Sequence, residues 1–136
     1  MKGKNSKQKG NCGLSAAITY FTINNKVVSI PLNDSQDYDF VADVDGSLRK
    51  IQVKTTTQRS RKTGHYIVDL RSTGGTKGTT YKKVKESDCE YLFAVSEDYK
   101  MWLVPVDEIA QDSCVTLNES YQKYYIGTLS INDMVS

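Results

Sequence analysis

The sequence predicts an α/β protein in which a mixed β-sheet is flanked by helices. Apolar residues recur at helical spacing over residues 11–23, which is typical of an amphipathic helix. Two β-rich runs, residues 38–44 and 48–57, flank the dipeptide Asp45-Gly46, a strong signal for a two-residue hairpin turn. Two further apolar runs late in the chain have the composition of buried strands.

The 136 residues are enough for one domain with one sizeable core, and the 38% apolar and 25% charged fractions exclude overall disorder. We expect lysine-rich residues 1–9 to form a flexible basic arm and residues 10–136 to form the single domain. No apolar run approaches the roughly 18 residues of a membrane-spanning helix. We therefore expect no membrane partner. Three scattered cysteines indicate reduced thiols and not disulfides or a zinc site, so we expect a cytoplasmic protein.

The elements of the predicted domain follow one another in a clear order. The first helix has Asn11 as its N-cap and ends at the pair Asn24-Asn25. A short strand over residues 27–32 precedes the hairpin, and Pro31 suits its end because proline cannot donate to a ladder. The remaining elements are a basic connection (58–64), a strand (65–70), a glycine- and threonine-rich loop (72–80), strands at 91–96 and 100–104, a short helix (105–110), and a peripheral strand or loop with a frayed tail (114–136).

Charge is distributed unevenly along the chain, although its net value is only +2. Residues 50–85 carry ten basic side chains against Asp69 alone, whereas residues 86–136 carry two lysines against ten acidic side chains. A basic block interleaved with aromatic residues is typical of a surface that binds the phosphates of nucleic acid. The alternative is that the two segments neutralise each other in the folded protein, and charge alone leaves both interpretations open.

Seven basic side chains are the candidates for phosphate contacts with DNA: Arg59, Arg61, Lys62, Lys77, Lys82, Lys83 and Lys85. Lys77 belongs to the glycine- and threonine-rich loop, whose backbone amides are further candidates for such contacts. That loop lacks the GK[ST] ending of a P-loop, and a surface loop without a ligand is its simpler interpretation.

The hairpin places three polar side chains of catalytic interest on one face. Gln52 and Lys54 are two residues apart, and Asp39 on the opposite arm falls near Gln52 when the register is regular. The Asp39 carboxylate, the Gln52 amide and the main-chain carbonyl of Val53 could hold Mg²⁺ (or Mn²⁺), which prefers oxygen ligands. Lys54 could then orient a water or hold a phosphate. The alternative is an ordinary hairpin with three polar residues on its solvated face.

The spacing Asp39-x12-Gln52-Val53-Lys54, preceded by an amphipathic helix and the segment VVSIPLNDSQDYD, resembles the PD-(D/E)XK nuclease superfamily. Within it the sequence is similar to the branch of cyanobacterial group I intron homing endonucleases, in which Gln occupies the acidic position of the motif. Supporting similarity extends over residues 10–21, 29–40, 48–56, 66–75 and 90–109. The resemblance implies a restriction-endonuclease-like fold, with Asp39 as metal ligand, Gln52 in the second-ligand position and Lys54 as the catalytic lysine.

One position departs from the pattern of this family. The resemblance implies a glutamate on the first helix that completes the metal site, but Leu14 stands there, with only Asn11 and Ser15 as polar neighbours. Three outcomes are open: the site works with a single carboxylate, another acid such as Asp37 or Asp69 moves in, or the domain binds DNA without cutting it. We expect cleavage to be retained.

These features lead us to expect a metal-dependent DNA endonuclease, similar to homing endonucleases or junction resolvases. Cleavage of both DNA strands needs two active sites, so we expect a homo-oligomer, either a dimer or a tetramer. Two alternatives stand beside this expectation. One is a catalytically inactive nuclease fold that binds DNA, and the other is a protein-interaction domain in which the acidic and basic segments pair.

Overall fold

The computed structural model describes residues 1–73 and 81–130, and its centre is a six-stranded mixed β-sheet. In chain order the strands are β1 (Val28–Ser29), β2 (Phe40–Val44), β3 (Ser47–Thr56), β4 (Ile67–Asp69), β5 (Arg71–Thr73), β6 (Tyr81–Lys83), β7 (Tyr91–Ser96), β8 (Lys100–Pro105), β9 (Cys114–Thr116) and β10 (Tyr125–Thr128). The central sheet has the order β1-β2-β3-β7-β8-β10, in which β3 and β7 are parallel and all other neighbours are antiparallel. Strand β4 pairs with β9, and β5 pairs with β6. The predicted α/β class with a mixed sheet is confirmed.

The predicted hairpin is confirmed by the pairing of β2 with β3. Phe40 is opposite Ile51, and the ladder ends at the two-residue turn. Both turn residues have positive φ, 53° at Asp45 and 84° at Gly46, as a type I′ turn requires. The carboxylate of Asp43 accepts a hydrogen bond from the backbone N of Gly46 at 2.8 Å, which closes the turn and fixes the register.

The long helix begins earlier than the hydrophobic pattern predicts. Helix α1 spans Ser6–Ile23, and its N-cap is Asn5, which forms a reciprocal capping box with Gln8. Asn11 is therefore not the N-cap, and the prediction of a flexible arm over residues 1–9 is wrong for residues 6–9. The predicted stop at Asn24 is confirmed, and no helix in the described ranges is long and apolar enough to cross a membrane.

Two apolar clusters lie on opposite faces of the central sheet. Strand β7 contributes to both, because Phe93 and Val95 face α1 whereas Leu92 and Ala94 face the other side, and all four are buried. The second face is covered by β4, β9 and a 3-10 helix at Glu119–Tyr124. A strand that is buried on both faces reads as a continuous apolar run, which is how β7 appears in the sequence.

The C-terminal third departs most from the prediction. The segment that follows β8 forms only a 3-10 turn, Val106–Glu108, instead of a short α-helix. Strand β9 covers the core through buried Val115, and β10 pairs with β8 as an edge strand of the central sheet. Residues 114–128 are therefore integral to the fold and are not a peripheral tail, because their apolar side chains complete the cluster on the face opposite α1. Residues 131–136 lie outside the described residues.

Helix α1 approaches β3 very closely at Gly13. This glycine is buried, and a Cβ atom at its position would overlap the Oγ1 atom of Thr55. Gly10, one turn earlier, has no neighbouring atom within 4 Å of where its Cβ would lie. The absence of a side chain at Gly13 thus sets the distance between the first half of α1 and the end of β3.

Substitution of Gly13 by alanine is expected to destabilise the fold, because the new methyl group must displace either Thr55 or the helix. Overpacking of this kind lowers the free energy of unfolding by about 1–3 kcal/mol. The matched control is Gly10→Ala, which removes a glycine from the same helix without a clash and should raise the free energy of unfolding by about 0.5–1 kcal/mol. Urea denaturation of both variants measures the difference. Equal effects of the two substitutions would show that Gly13 does not set the packing distance.

Candidate active site

Asp39 lies directly before β2, and its side chain hydrogen-bonds to β3 at the point where the backbone ladder ends. Its backbone N donates at 2.8 Å to the carbonyl of Ile51, the residue that is opposite Phe40 in the ladder, so the regular antiparallel register ends here. Its carboxylate Oδ2 then accepts from the backbone N of Val53 at 2.7 Å. In the part of the chain that the structure describes, the other oxygen, Oδ1, accepts no hydrogen bond. The sheet itself therefore holds one end of this carboxylate and leaves the other end available.

Lys54 follows Val53 on β3, and its side chain is partly buried. Its Nζ donates to the backbone carbonyl of Arg71 at 3.0 Å, which ties it to the first residue of β5. Burial lowers the pKa of Lys54, and the nearby carboxylates of Asp69 and Asp39 oppose this effect. The ammonium group thus lies within electrostatic range of Asp39, as the alternation along the hairpin predicts.

A cleft of about 500 Å³ lies between the first turns of α1 and the end of the hairpin. Its walls are Ser6, Lys9, Gly10, Asn11 and Leu14 from the helix, and Asp39, Val53, Lys54, Thr55 and Thr57 from the sheet side. Asp39 and Lys54 therefore converge on one cavity. Gln52 is 9% exposed and is not a wall residue of this cleft, although it shares the strand face of Lys54.

Burial dominates the electrostatics of Asp39. Desolvation raises the pKa of its carboxyl group, while the hydrogen bond from Val53 and the charge of Lys54 lower it less strongly. Burial and the carboxylates of Asp37, Asp88 and Asp39 also raise the pKa of the nearby Cys89 thiol to about 11. Cys89 is not a wall residue of the cleft, and the ligand atoms that the described wall offers are oxygens, which favours Mg²⁺ or Mn²⁺ over zinc.

The other acids considered for the site are held elsewhere. Asp37 accepts a hydrogen bond from the backbone N of Asp88 at 3.0 Å, and Asp69 accepts from both the backbone and the guanidinium of Arg71. Neither is a wall residue of the cleft. Over residues 1–73 and 81–130, no group of three His, Cys, Asp or Glu side chains could hold a metal ion. Within the described part of the chain, Asp39 is thus the one carboxylate in the wall of the cleft.

Helix α1 presents an apolar residue where a glutamate is expected. Leu14 forms part of the cleft wall and also packs against the apolar cluster beneath α1. Ser15 is exposed and points to a neighbouring apolar groove rather than to the cleft. Lys9 is the site residue that sequence reasoning missed, because the helix was expected to begin at residue 11. The pattern Asn5-x-x-Gln8 is a capping-box signal that could have revealed the longer helix.

The predicted phosphate contacts divide into two groups. The guanidinium of Arg59 stacks on the ring of Tyr66 with 4.2 Å between Cζ and the ring centroid, and it lies 3.9 Å from Glu97. The Nζ of Lys85 donates to a backbone carbonyl and lies 3.7 Å from Asp112. These pairs join the basic block to the acidic segment, so part of the charge asymmetry is neutralised within the chain.

Arg61 and Lys62, which are exposed in the turn between β3 and β4, differ because neither forms an ion pair with another described residue. Lys82 and Lys83 lie in β6, and Lys77 lies outside the described residues. Among the predicted phosphate contacts whose side chains the structure describes, Arg61 and Lys62 are therefore the two without an ion pair.

Comparison with known proteins gives a consistent picture. Residues 4–126 match the family described as PD-(D/E)XK endonuclease. The fold is similar to the solved structure of a bacterial homing endonuclease, I-Ssp6803I, with a TM-score of 0.68 and 32% sequence identity, covering 88% of this chain and 82% of that one. A search of curated protein sequences returned no match.

The raised pKa of Asp39 predicts that its charge destabilises the metal-free fold. Between the pKa of the unfolded chain and the higher pKa of the folded protein, the folded state binds more protons, so stability falls as pH rises. Asp39→Asn should therefore raise the free energy of unfolding at neutral pH in EDTA, and the difference should shrink as pH falls through the pKa of Asp39. Urea denaturation at a series of pH values measures this. Asp45→Asn, which changes an exposed charge in the hairpin turn, is the control, and a loss of stability in Asp39→Asn at all pH values would contradict the expectation.

Proposed function

This chain belongs to the PD-(D/E)XK endonuclease family, and we propose that it is a metal-dependent DNA endonuclease that hydrolyses phosphodiester bonds in the cleft at Asp39 and Lys54. The observation that carries the proposal is the convergence of these two side chains on one cavity, with the carboxylate fixed by the backbone of Val53. Opposite charges at such a position serve two needs of phosphodiester hydrolysis, a ligand for a cation and a cation for the phosphate.

The residues present fit a divalent cation with oxygen ligands. The donors are the Asp39 carboxylate, the Val53 carbonyl and, behind them, the Gln52 amide. The N–H and C=O of one strand residue point to the same edge, so the Val53 carbonyl lies on the side of the Asp39 carboxylate. Magnesium keeps several waters when few protein ligands are offered. A bound ion at this position supplies Lewis-acid polarisation of a phosphoryl oxygen and lowers the pKa of a water.

Lys54 supplies positive charge beside the reacting phosphate. Its hydrogen bond to the Arg71 carbonyl holds the side chain in place, and its partial burial strengthens the interaction with an anion. The lowered pKa also brings the ammonium group closer to a value at which it exchanges a proton with a nearby water. Asp39 also fixes the position of the cation, because the hydrogen bond from Val53 holds its carboxylate in one orientation.

The homing endonuclease similar in fold supports a DNA target of the same class, and we propose a homing-endonuclease-like or junction-resolvase-like role. Two strands must be cut by two active sites, so the chain acts as a homo-oligomer, a dimer or a tetramer. We also propose a cytoplasmic location, which the free thiols of Cys12, Cys89 and Cys114 support.

A second candidate function is DNA binding without cleavage. The observation in its favour is Leu14, which occupies the cleft wall where the family pattern has a glutamate. Cleavage of supercoiled plasmid with Mg²⁺ or Mn²⁺, compared with the same reaction in EDTA, separates the two candidates. A protein that binds plasmid but never nicks it would support the binding-only function.

Loss of the two central charges should abolish cleavage while DNA binding survives. Asp39→Asn keeps the shape and the hydrogen bond from Val53 but removes the charge that attracts the cation. Lys54→Ala removes positive charge from the reacting phosphate. Each should reduce the rate of plasmid nicking by about 10²–10³, the size of effect that follows the loss of one electrostatic stabiliser.

Two variants of matched charge serve as controls for this experiment. Asp45→Asn removes an exposed negative charge from the hairpin turn. Lys50→Ala removes a positive charge from β3, the strand of Lys54, and with it the ion pair to Asp88. Both should cleave within a few-fold of wild type. Nicking by Asp39→Asn at the wild-type rate would place the active site elsewhere.

Arg61 and Lys62, in the exposed turn between β3 and β4, should contribute strongly to the salt dependence of DNA binding. Reversal of Arg61 and Lys62 to glutamate should weaken binding and flatten its dependence on salt, because each lost phosphate contact removes about 0.9 from the log–log slope. The control reverses Lys26 and Lys123, two exposed lysines that the cleft does not include. Fluorescence anisotropy with a labelled duplex measures both slopes, and equal slopes for the two double variants would show that the turn does not face DNA.

A further inference from the structure

Lys9 differs from the other lysines near the N-terminus. Lys2, Lys4 and Lys7 are exposed, whereas Lys9 is partly buried and forms part of the wall of the cleft. It lies at the end of the first turn of α1, across the cleft from Asp39. Its location is set by the capped helix and not by a flexible arm.

The charges around the cleft favour an anion. Among the described residues, its titratable wall residues are Lys9, Asp39 and Lys54, whose charges sum to a positive value even before a cation binds. The family pattern has a glutamate in this wall, but the residue at that position is the neutral Leu14. The charge that α1 contributes to the described wall is therefore the positive charge of Lys9. Negative charge develops on the phosphate oxygens during hydrolysis, and a positioned cation stabilises it.

Gly10 provides an independent observation. It is exposed in the interior of α1, where glycine weakens a helix relative to alanine. Neither of the usual reasons for a helical glycine applies, because its φ is not positive and its Cβ would meet no atom within 4 Å. It is, however, a wall residue of the same cleft. A glycine at this position leaves room for another backbone to approach the helix closely.

We infer that Lys9 is a phosphate-binding residue of the active-site cleft and that the DNA backbone passes over Gly10. The cleft then holds the phosphate between lysines on two walls, Lys9 from α1 and Lys54 from β3, with Asp39 as the single anionic ligand for a cation. This inference rests on the proposed function, and it assigns to the helix a cationic role in place of the missing carboxylate.

The test compares Lys9→Met with Lys7→Met. Both substitutions remove one positive charge from the same turn region of α1 and keep an unbranched stem, but Lys7 is not a wall residue of the cleft. With supercoiled plasmid and Mg²⁺, Lys9→Met should reduce nicking by about 10², whereas Lys7→Met should change it by less than a few-fold. Lys9→Arg should restore most of the activity because it restores the cation. Thermal unfolding should be the same for all three variants, which excludes a structural explanation.

A binding measurement separates failure of this inference from failure of the proposed function. With a fluorescein-labelled DNA duplex in EDTA, Lys9→Met should reduce the salt-dependence slope by about 0.9 relative to Lys7→Met. Gly10→Ala should raise the urea midpoint and yet weaken binding of the same duplex. If wild type nicks no DNA, the proposed function fails and the binding results decide the inference alone. Equal nicking and equal slopes for Lys9→Met and Lys7→Met would overturn it.

Discussion

The cleft depends on the close approach of helix α1 to strand β3, and Gly13 permits that approach. Because Gly13 has no side chain, the helix packs directly on Thr55, the residue that follows Lys54. This contact places the first turns of α1 over the end of β3. The ladder between β2 and β3 has ended there, and the N–H of Val53 donates to the carboxylate of Asp39 instead of to a backbone carbonyl of β2. A bulkier residue at Gly13 would move one wall of the cleft away from the other.

Much of the sheet side of the site follows from local sequence. The Asp45-Gly46 turn fixes the hairpin register, and that register places Asp39 beside the segment Gln52–Lys54. The apolar run of β7 likewise predicts a strand buried on both faces. These inferences succeed because turn geometry and strand alternation are short-range properties, so a few neighbouring residues determine them.

The helix side and the charge balance could not be predicted in the same way. A hydrophobic pattern marks only where a helix meets the core, whereas α1 extends one and a half turns further because Asn5 and Gln8 cap it. The ion pair of Arg59 with Glu97 joins residues that are distant in sequence, so a count of charges along the chain cannot reveal it. Lys9 depends on both ranges, because the capping box of Asn5 and Gln8 places it in the helix and the Gly13 contact brings that helix to β3.

The proposed function assigns to the described wall of this cleft one carboxylate, Asp39, and two lysines, Lys9 and Lys54. Because Leu14 stands where the family pattern has a glutamate, this proposal gives each chain one cation, held by Asp39. The most direct test is a titration with Mn²⁺ followed by electron paramagnetic resonance, on protein bound to a DNA duplex and corrected for the duplex alone. The account predicts a single bound ion per chain in wild type and none in Asp39→Asn at the same concentrations. Two ions per chain, or undiminished binding by Asp39→Asn, would contradict it.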